Sequence, residues 1–422
     1  MTTATSVIRE LANSLTEIVG SSYVTNDPES LAGLGFGSDS LPEVAAWPGT
    51  AGEVREILRL AGRAQISVMP VGGGTRIGQV AMPGFGGLAI CLSRMAGIVE
   101  FEPDNLSVTV EAGCTNEALQ QALQLNRLFL PVPADLHQST LGGEVARNHS
   151  SWRRYRYGNI GDYLLGAEFV TADGRRVKTG GKTVKNASGY DFTRLLAGSW
   201  GTIGILTSLI LRLSPQPERR VVLTGRYAAP AEALKAALAA MVATRGLSSL
   251  NVYGDNGGSV ILAAVLEGSA EAVDAQLTCL SAHLPDFSAR EYDEGQADDE
   301  TRRRVRTDLH GGHIHTVIFD KRLSCNMTGL IDFLLEQEAV YDLDLTSGVL
   351  EFCLPGLRAP LLEGFLRQWR QLARRLKPSP WADFEQIDAP PLLTRLRTQI
   401  DPDGVLFPGN SFLSEVCRDN GR

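Results

Sequence analysis

A chain of 422 residues is longer than one core usually organises, so two domains are expected. Hydrophobic residues make up 43% and charged residues 21% with no biased tract, which excludes a disordered or fibrous chain. With 48 acidic against 40 basic side chains the net charge is −8, which supplies no field for attracting phosphate backbones and excludes nucleic acid as an expected partner.

The opening stretch MTTATSVIRELANSL breaks its apolar residues with Arg9, Glu10 and Asn13, so it has no signal-peptide core. No later apolar run reaches membrane-spanning length. The expected location is therefore the cytoplasm, with partners able to hold the chain at a membrane periphery. The first structured signal is Thr50 followed by Glu53, a capping box that opens an amphipathic helix through Val54, Ile57, Leu58 and Ala61. A strand over 66–70 then runs into Gly72, Gly73, Gly74, Thr75, Arg76 and Gly78. Strands are predicted at 88–92 and 106–112, the latter alternating Leu106, Val108, Val110 and Ala112 on one face, and a helix at 115–126.

Glycines return between 133 and 217, at Gly142, Gly143, Gly158, Gly161, Gly189, Gly198, Gly201 and Gly204, so the backbone there repeatedly needs conformations other residues avoid. Asp173–Gly174 marks a hairpin. SerProGlnProGlu (214–218) marks a domain exit. Beyond it the pattern is strand 220–226, helix 231–243, strands 249–253 and 259–266 and helix 269–283, an α+β arrangement on an antiparallel sheet. A charged, exposed stretch is expected over 289–308 and a further strand–helix set over 314–376. The six cysteines, at 91, 114, 279, 325, 353 and 417, form no Cys-x-x-Cys pair and no ligand spacing. They are expected to be small buried apolar residues, and no metal site is assigned.

A glycine turn lets backbone N–H groups curl around phosphate oxygens. Gly73-x-x-x-x-Gly78 is followed by Gln79 and Val80, so the Lys-Ser/Thr of an ATP-binding P-loop is absent. Ile77 stands where a dinucleotide fingerprint needs its third glycine. The ordered set PVGGGTRIG (70–78), EAGCT (111–115), PVPADLHQSTLGGEVARN (131–148), YRYGNIGDYLLGAEFVTADG (155–174), VKNASGYDFTRLLAGSWGTIGIL (184–206) and SPQP (214–217) resembles the FAD-binding domain of the vanillyl-alcohol-oxidase/p-cresol methylhydroxylase (PCMH) class. Within that class it is similar to the FAD-binding subunits of glycolate oxidase and related D-2-hydroxyacid dehydrogenases.

The resemblance implies an α+β fold: a two-subdomain PCMH-type FAD-binding domain over 38–217, after an N-terminal segment 1–37, then an α+β substrate or cap domain over 218–385 with an antiparallel sheet. A C-terminal segment, 386–422, would return to the FAD domain. It also implies that Pro70, Val71, Gly72, Gly73, Gly74, Thr75, Arg76 and Gly78 cradle the pyrophosphate. Pro133, Asp135, Ser139, Thr140, Gly142 and Gly143 would line the ribityl chain and flavin, Gly204 and Ile205 would meet the adenine, and Ala146 and Gly158 would also contact the cofactor. Because the loop carries Thr75 and Arg76 in place of a histidine or cysteine, FAD is expected to be non-covalent.

Oxidising a hydroxyacid at a flavin needs a proton acceptor for the hydroxyl and a cation for the carboxylate. Arg153 and Arg154, in the run TrpArgArgTyrArg (152–156), are candidates for the cation, since a guanidinium grips a carboxylate bidentately. Lys182 and Lys185 would offset phosphate charge or face solvent. His137, His313 and His315 are candidates for the proton acceptor, the last two on one face of a strand. His310–His315 could instead be a polar strand edge or hold a metal. The family's Asn-x-His element is absent, and Asn410 follows Phe407–Pro408–Gly409, which displaces an asparagine expected near the flavin. The predicted function is an FAD-dependent dehydrogenase of a small 2-hydroxyacid, passing electrons to other subunits that include an acceptor. Alternatives are an FAD-holding structural or electron-relay subunit beside a homologous catalytic chain, a flavin reductase fed by NADPH, and a metal-dependent hydrolase.

Overall fold

The computed structural model describes residues 2–75, 77, 85–132, 138–148, 153–182, 192–244, 246–254, 260–283, 287–291, 314–319, 328–336, 339–345, 349–353, 373–377, 399, 401 and 405–406. The chain divides into two compact units: Met1–His149, Asn159–Pro215 and Gln386–Arg422 form one, and Ser150–Gly158 with Gln216–Glu385 form the other. The span expected for the flavin domain, 38–217, is thus interrupted at 150–158, and the N-terminal segment 1–37 belongs to the same unit.

The first unit holds two sheets. In one, β1 (Val24–Thr25), β2 (Val44–Ala46), β3 (Val68–Val71) and β4 (Leu88–Cys91) stand in the order β1-β2-β4-β3. The β2–β4 and β3–β4 pairs are parallel, and all of Leu88–Cys91 is buried as a parallel core strand should be. Helix α1 (Thr2–Val19) buries Leu11, Leu15 and Val19 at i, i+4 and i+8. Between β2 and β3 lies a helix over Ala51–Ala64, whose N–H at Glu53 is capped by Thr50 and whose buried stripe is Val54, Ile57, Leu58 and Ala61. Burying each such side chain contributes about 1.5–3 kcal/mol. The strand predicted at 66–70 starts two residues later. Val68 N–H donates to Val405 at 2.7 Å, and Asp401 accepts from the N–H groups of Val405 and Leu406, so this C-terminal piece lies along β3.

The other sheet is antiparallel, with β5 (Ile98–Glu102), β6 (Ser107–Glu111), β8 (Leu164–Val170), β9 (Arg176–Gly180) and β10 (Ile205–Arg212) in the order β5-β6-β10-β8-β9, while β7 (Leu128–Phe129) pairs separately with β11 (Ser214–Pro215). The β8–β9 hairpin turns at Gly174, φ +76°. Leu106 is not part of β6: it closes the Pro103–Asn105 turn at φ +50°, so the strand begins at Ser107.

The second unit is one eight-stranded antiparallel sheet of β12 (Arg219–Tyr227), β13 (Leu247–Gly254), β14 (Val260–Gly268), β15 (Ser288–Glu291), β16 (Ile314–Phe319), β17 (Val340–Asp344), β18 (Val349–Cys353) and β19 (Ala373–Lys377). One face packs Leu223, Leu250, Val252, Leu262, Tyr341 and Phe352 beneath helices Pro230–Ala243, Ala270–His283 and Thr328–Glu336. The opposite face is buried too and mixes the polar Arg220, Glu267, Ser249, Asn251 and Asp342 with Val222, Val265, Tyr253, Ile261, Ala263 and Val340. The start of the stretch expected to be exposed, 289–308, is here strand β15 at the sheet edge; residues 292–308 lie outside the described residues. Cys91 and Cys114 are buried, but Cys279 is exposed on a helix, contrary to the expectation for it.

Candidate functional site

Strand β3 delivers the chain into Gly72–Thr75, where the absence of side chains serves two ends. A Cβ on Gly72 would strike the Thr140 hydroxyl, and one on Gly73 the carbonyl oxygen of Gln138. Gly74 adopts φ +70°, and a Cβ there would lie 2.5 Å from the Leu34 oxygen. The loop is therefore wedged between two backbone segments. Among the described residues, the N–H groups of Gly73, Gly74 and Thr75 find no hydrogen-bond partner. Three successive unspent donors form an anion nest.

The segment facing this loop is fixed by the turn after β6. Asn116 N–H donates to Ser139 O (3.1 Å), Leu141 N–H to Cys114 O (2.8 Å) and Gly142 N–H to Ala112 O (2.8 Å). A Cβ on Gly142 would lie 2.7 Å from the Ala112 oxygen, so only glycine allows this approach. Thr140 then caps the helix Leu141–Arg147 by accepting from Gly143 N–H at 3.3 Å. At the other end of that helix, the Val145 and Ala146 carbonyls accept from Gly198 N–H (3.0 Å) and Trp200 N–H (2.8 Å). Trp200 holds φ +55°, a conformation costly for a bulky residue, beside Gly201 at φ +78°.

Together these pieces line one cleft of about 880 Å³, its open mouth included. Of the residues expected to hold the cofactor, it brings together Pro70, Val71, Gly72, Gly73, Gly74, Thr75, Ser139, Thr140, Gly142, Gly143, Ala146, Gly204 and Ile205. Ile77, Leu92, Glu144, Arg147, Trp200 and Leu206 line it too, although none had been singled out. All but Leu92 sit within the glycine motifs, and Glu144 and Arg147 follow Gly143 on a helix whose start Thr140 signals. Among the described lining residues the charges are one carboxylate and one guanidinium. The N–H nest suits a pyrophosphate and the apolar wall a planar ring, so these residues fit FAD.

Arg76, Gly78, Pro133, Asp135, His137, Lys185, His310 and His313 lie outside the described residues, and of His315 only its place in β16, opposite Phe352, is described. Three expectations are corrected. Gly158 is not among the described residues that line the cleft: it belongs to the second unit, where it ends the short helix Arg154–Tyr157 at φ +81°. Arg153 is not an open clamp. Its side chain is 3% exposed and meets the fully buried Glu267 at 2.7 Å, and Glu267 also receives Arg220 at 2.6 Å across β12 and β14. Lys182 is engaged by Glu100 (2.5 Å) and Glu102 (2.6 Å), which raises its pKa and pulls the Glu102 carboxyl down to about 2, so it is not reserved for phosphate. Arg154, half-buried, opens the helix that follows Arg153.

Residues 42–180 match the family model described as the FAD binding domain. That segment is an FAD-binding domain, and FAD is the cofactor it takes. Over 189 residues the chain is 35% identical to the glycolate oxidase subunit GlcD of Bacillus subtilis (strain 168), covering 44% of this chain and 40% of the relative. Over 180 residues it is 36% identical to a D-lactate dehydrogenase of Archaeoglobus fulgidus, covering 43% and 40% respectively. The matched region spans about 40% of the length of these relatives. A p-cresol methylhydroxylase structure with substrate bound superposes with TM-score 0.74 at 14% identity, covering 96% of this chain and 97% of the other. The fold is accordingly that of the PCMH-type flavoproteins, mixed α and β.

Proposed function

We propose that the protein is an FAD-dependent oxidoreductase acting on a small 2-hydroxyacid, as a subunit of an assembly that carries the electrons onward. The observation that carries this reading is the cleft between the two glycine loops, with its N–H nest, in a segment similar to a glycolate oxidase subunit and to D-lactate dehydrogenases. FAD supplies a two-electron acceptor for the substrate C–H. The chain must then hold the substrate carboxylate and take the hydroxyl proton. Arg154 is our candidate for the former, and His137, His313 or His315 for the latter. FAD is held without a covalent bond, since the glycine loop carries Thr75 and Arg76 in place of a histidine or cysteine. Acid denaturation should release all of the flavin into the supernatant.

Anaerobic titration of the flavin-loaded protein with glycolate, D-lactate and D-2-hydroxyglutarate tests the reaction. At least one should bleach the yellow absorbance. A specific observation favours a second reading, an FAD-holding relay subunit: one of the two guanidiniums that the sequence offers to a substrate, that of Arg153, is spent on Glu267. In that case no hydroxyacid bleaches the isolated chain, and bleaching appears only when a catalytic partner is added.

A further inference from the structure

The cleft contains a buried carboxylate that cofactor binding alone does not call for. Glu144 is 7% exposed, sits between Gly143 and Val145 on the cleft helix and lines the cleft. Its Oε1 accepts from the hydroxyl of Ser139, itself 7% exposed, and among the described residues its Oε2 has no partner. Placing a carboxylate in a site meant for a dianionic pyrophosphate would weaken binding if the two met. The cleft must therefore keep them apart or give the carboxylate another task.

The pairing indicates the task. Ser139 spends its only proton on Oε1, and a carboxylate has none to give, so this part of the wall can only accept hydrogen bonds. The Gly73–Thr75 N–H groups can only donate. The cleft thus has a donor end for phosphate oxygens and an acceptor wall for O–H or N–H groups, and a bound dinucleotide has both. We propose that Glu144 accepts a hydrogen bond from FAD, from a sugar or ribityl hydroxyl or the flavin ring N–H, and thereby sets the direction in which the cofactor lies. This rests on the reading of the cleft as the FAD site. Oε2 is the oxygen of this carboxylate that has no protein partner among the described residues, so it is the one left to accept from a ligand in the cleft.

The test is FAD affinity, measured by titrating apoprotein and following flavin fluorescence, with ADP as a second probe. Glu144→Met keeps the length of the side chain and removes the acceptor; it should weaken FAD by about tenfold or more. Glu144→Gln keeps an acceptor and loses the charge, and should fall between the two. If Glu144→Met weakens ADP as strongly as FAD, the donor is the adenosine ribose. If ADP is unaffected, the donor lies in the ribityl–flavin half. Both outcomes support the proposal, provided the melting temperature of the apoprotein is unchanged. FAD and ADP affinities within about twofold of wild type in both variants would overturn it. Should Glu144→Met fail to fold, Glu144→Leu, which also removes the acceptor, decides by the same criterion. Wild-type protein that binds no FAD would instead overturn the cofactor reading.

Discussion

Replacing Gly73 by alanine probes the cleft most directly. The added Cβ would collide with the carbonyl oxygen of Gln138 and approach its carbonyl carbon to 2.8 Å. Neither atom can swing aside, because the adjoining backbone is held through Asn116 N–H to Ser139 O, Leu141 N–H to Cys114 O and Gly142 N–H to Ala112 O. The two loops must therefore separate. Relieving such an overlap costs about 1–3 kcal/mol, and a separated loop no longer presents its N–H groups to one anion. At about 1.4 kcal/mol per decade, FAD affinity should fall roughly tenfold to a hundredfold. Gly62→Ala is the matched control: Gly62 sits inside a helix with nothing within 4 Å of a built Cβ, so alanine should stabilise the protein by about 0.5–1 kcal/mol and leave FAD affinity unchanged. Fluorescence titration with FAD and urea denaturation read both. Wild-type FAD affinity in Gly73→Ala would refute the argument that glycine is required there by loop-to-loop contact.

Glu267→Ala removes the carboxylate that Arg153 and Arg220 share in the second unit, and should cost about 3–5 kcal/mol in urea denaturation, whereas an effect below 1 kcal/mol would mean the guanidiniums find equal compensation elsewhere. Thr50→Ala deletes the cap on Glu53 N–H (3.1 Å) and should cost about 1 kcal/mol, read from the same denaturation curves. The Glu102 carboxyl is depressed from its ordinary value of 4.5 to about 2 by its hydrogen bond from Lys182. A depressed carboxylate stabilises the fold above its unfolded value and loses that contribution as pH falls through its folded one. The stability difference between wild type and Lys182→Met should therefore persist above pH 4.5 and vanish towards pH 2, and a difference constant across that window would refute it. Burial pushes the Cys91 and Cys114 thiols up to about 12 and 11, so peptide mapping after mild alkylation at pH 8 should find Cys279 labelled and those two untouched until the protein unfolds.

Element starts were the most legible part of the sequence, because they depend on contacts within four residues. Thr50 accepts from Glu53 N–H, Thr115 from Ala118 N–H and Thr140 from Gly143 N–H, each opening a helix. The exception instructs as well: Glu53, expected to close a capping box on Thr50, reaches one residue further back to Gly49 N–H at 2.7 Å. The glycine loops were legible as a place where backbone must come close to something. The sequence could not say that the something is partly the protein itself. Gly72, Gly73 and Gly142 owe their lack of side chains to Thr140, Gln138 and Ala112, residues that lie up to 68 positions away.

Buried charge was the least legible feature, for a related reason. Glu267 closes the apolar run ValIleLeuAlaAlaValLeuGlu, where alternation would place it at a strand end in water. It is instead fully buried, because register sets Arg220 directly opposite it and because Arg153, 114 residues earlier in the chain, donates to the same carboxylate oxygen. Each partner alone reads as an ordinary surface charge; only the three together make burial tolerable, since any one left unpaired would incur the desolvation cost of an ion. This accounts for the departure of 150–158 from the unit that surrounds it in sequence. A guanidinium that must meet Glu267 carries its short helix with it onto β13. In sequence the arginines of that segment share one chemistry, and the structure separates them: Arg153 is a buried structural cation, whereas Arg154, the next residue, is half-exposed.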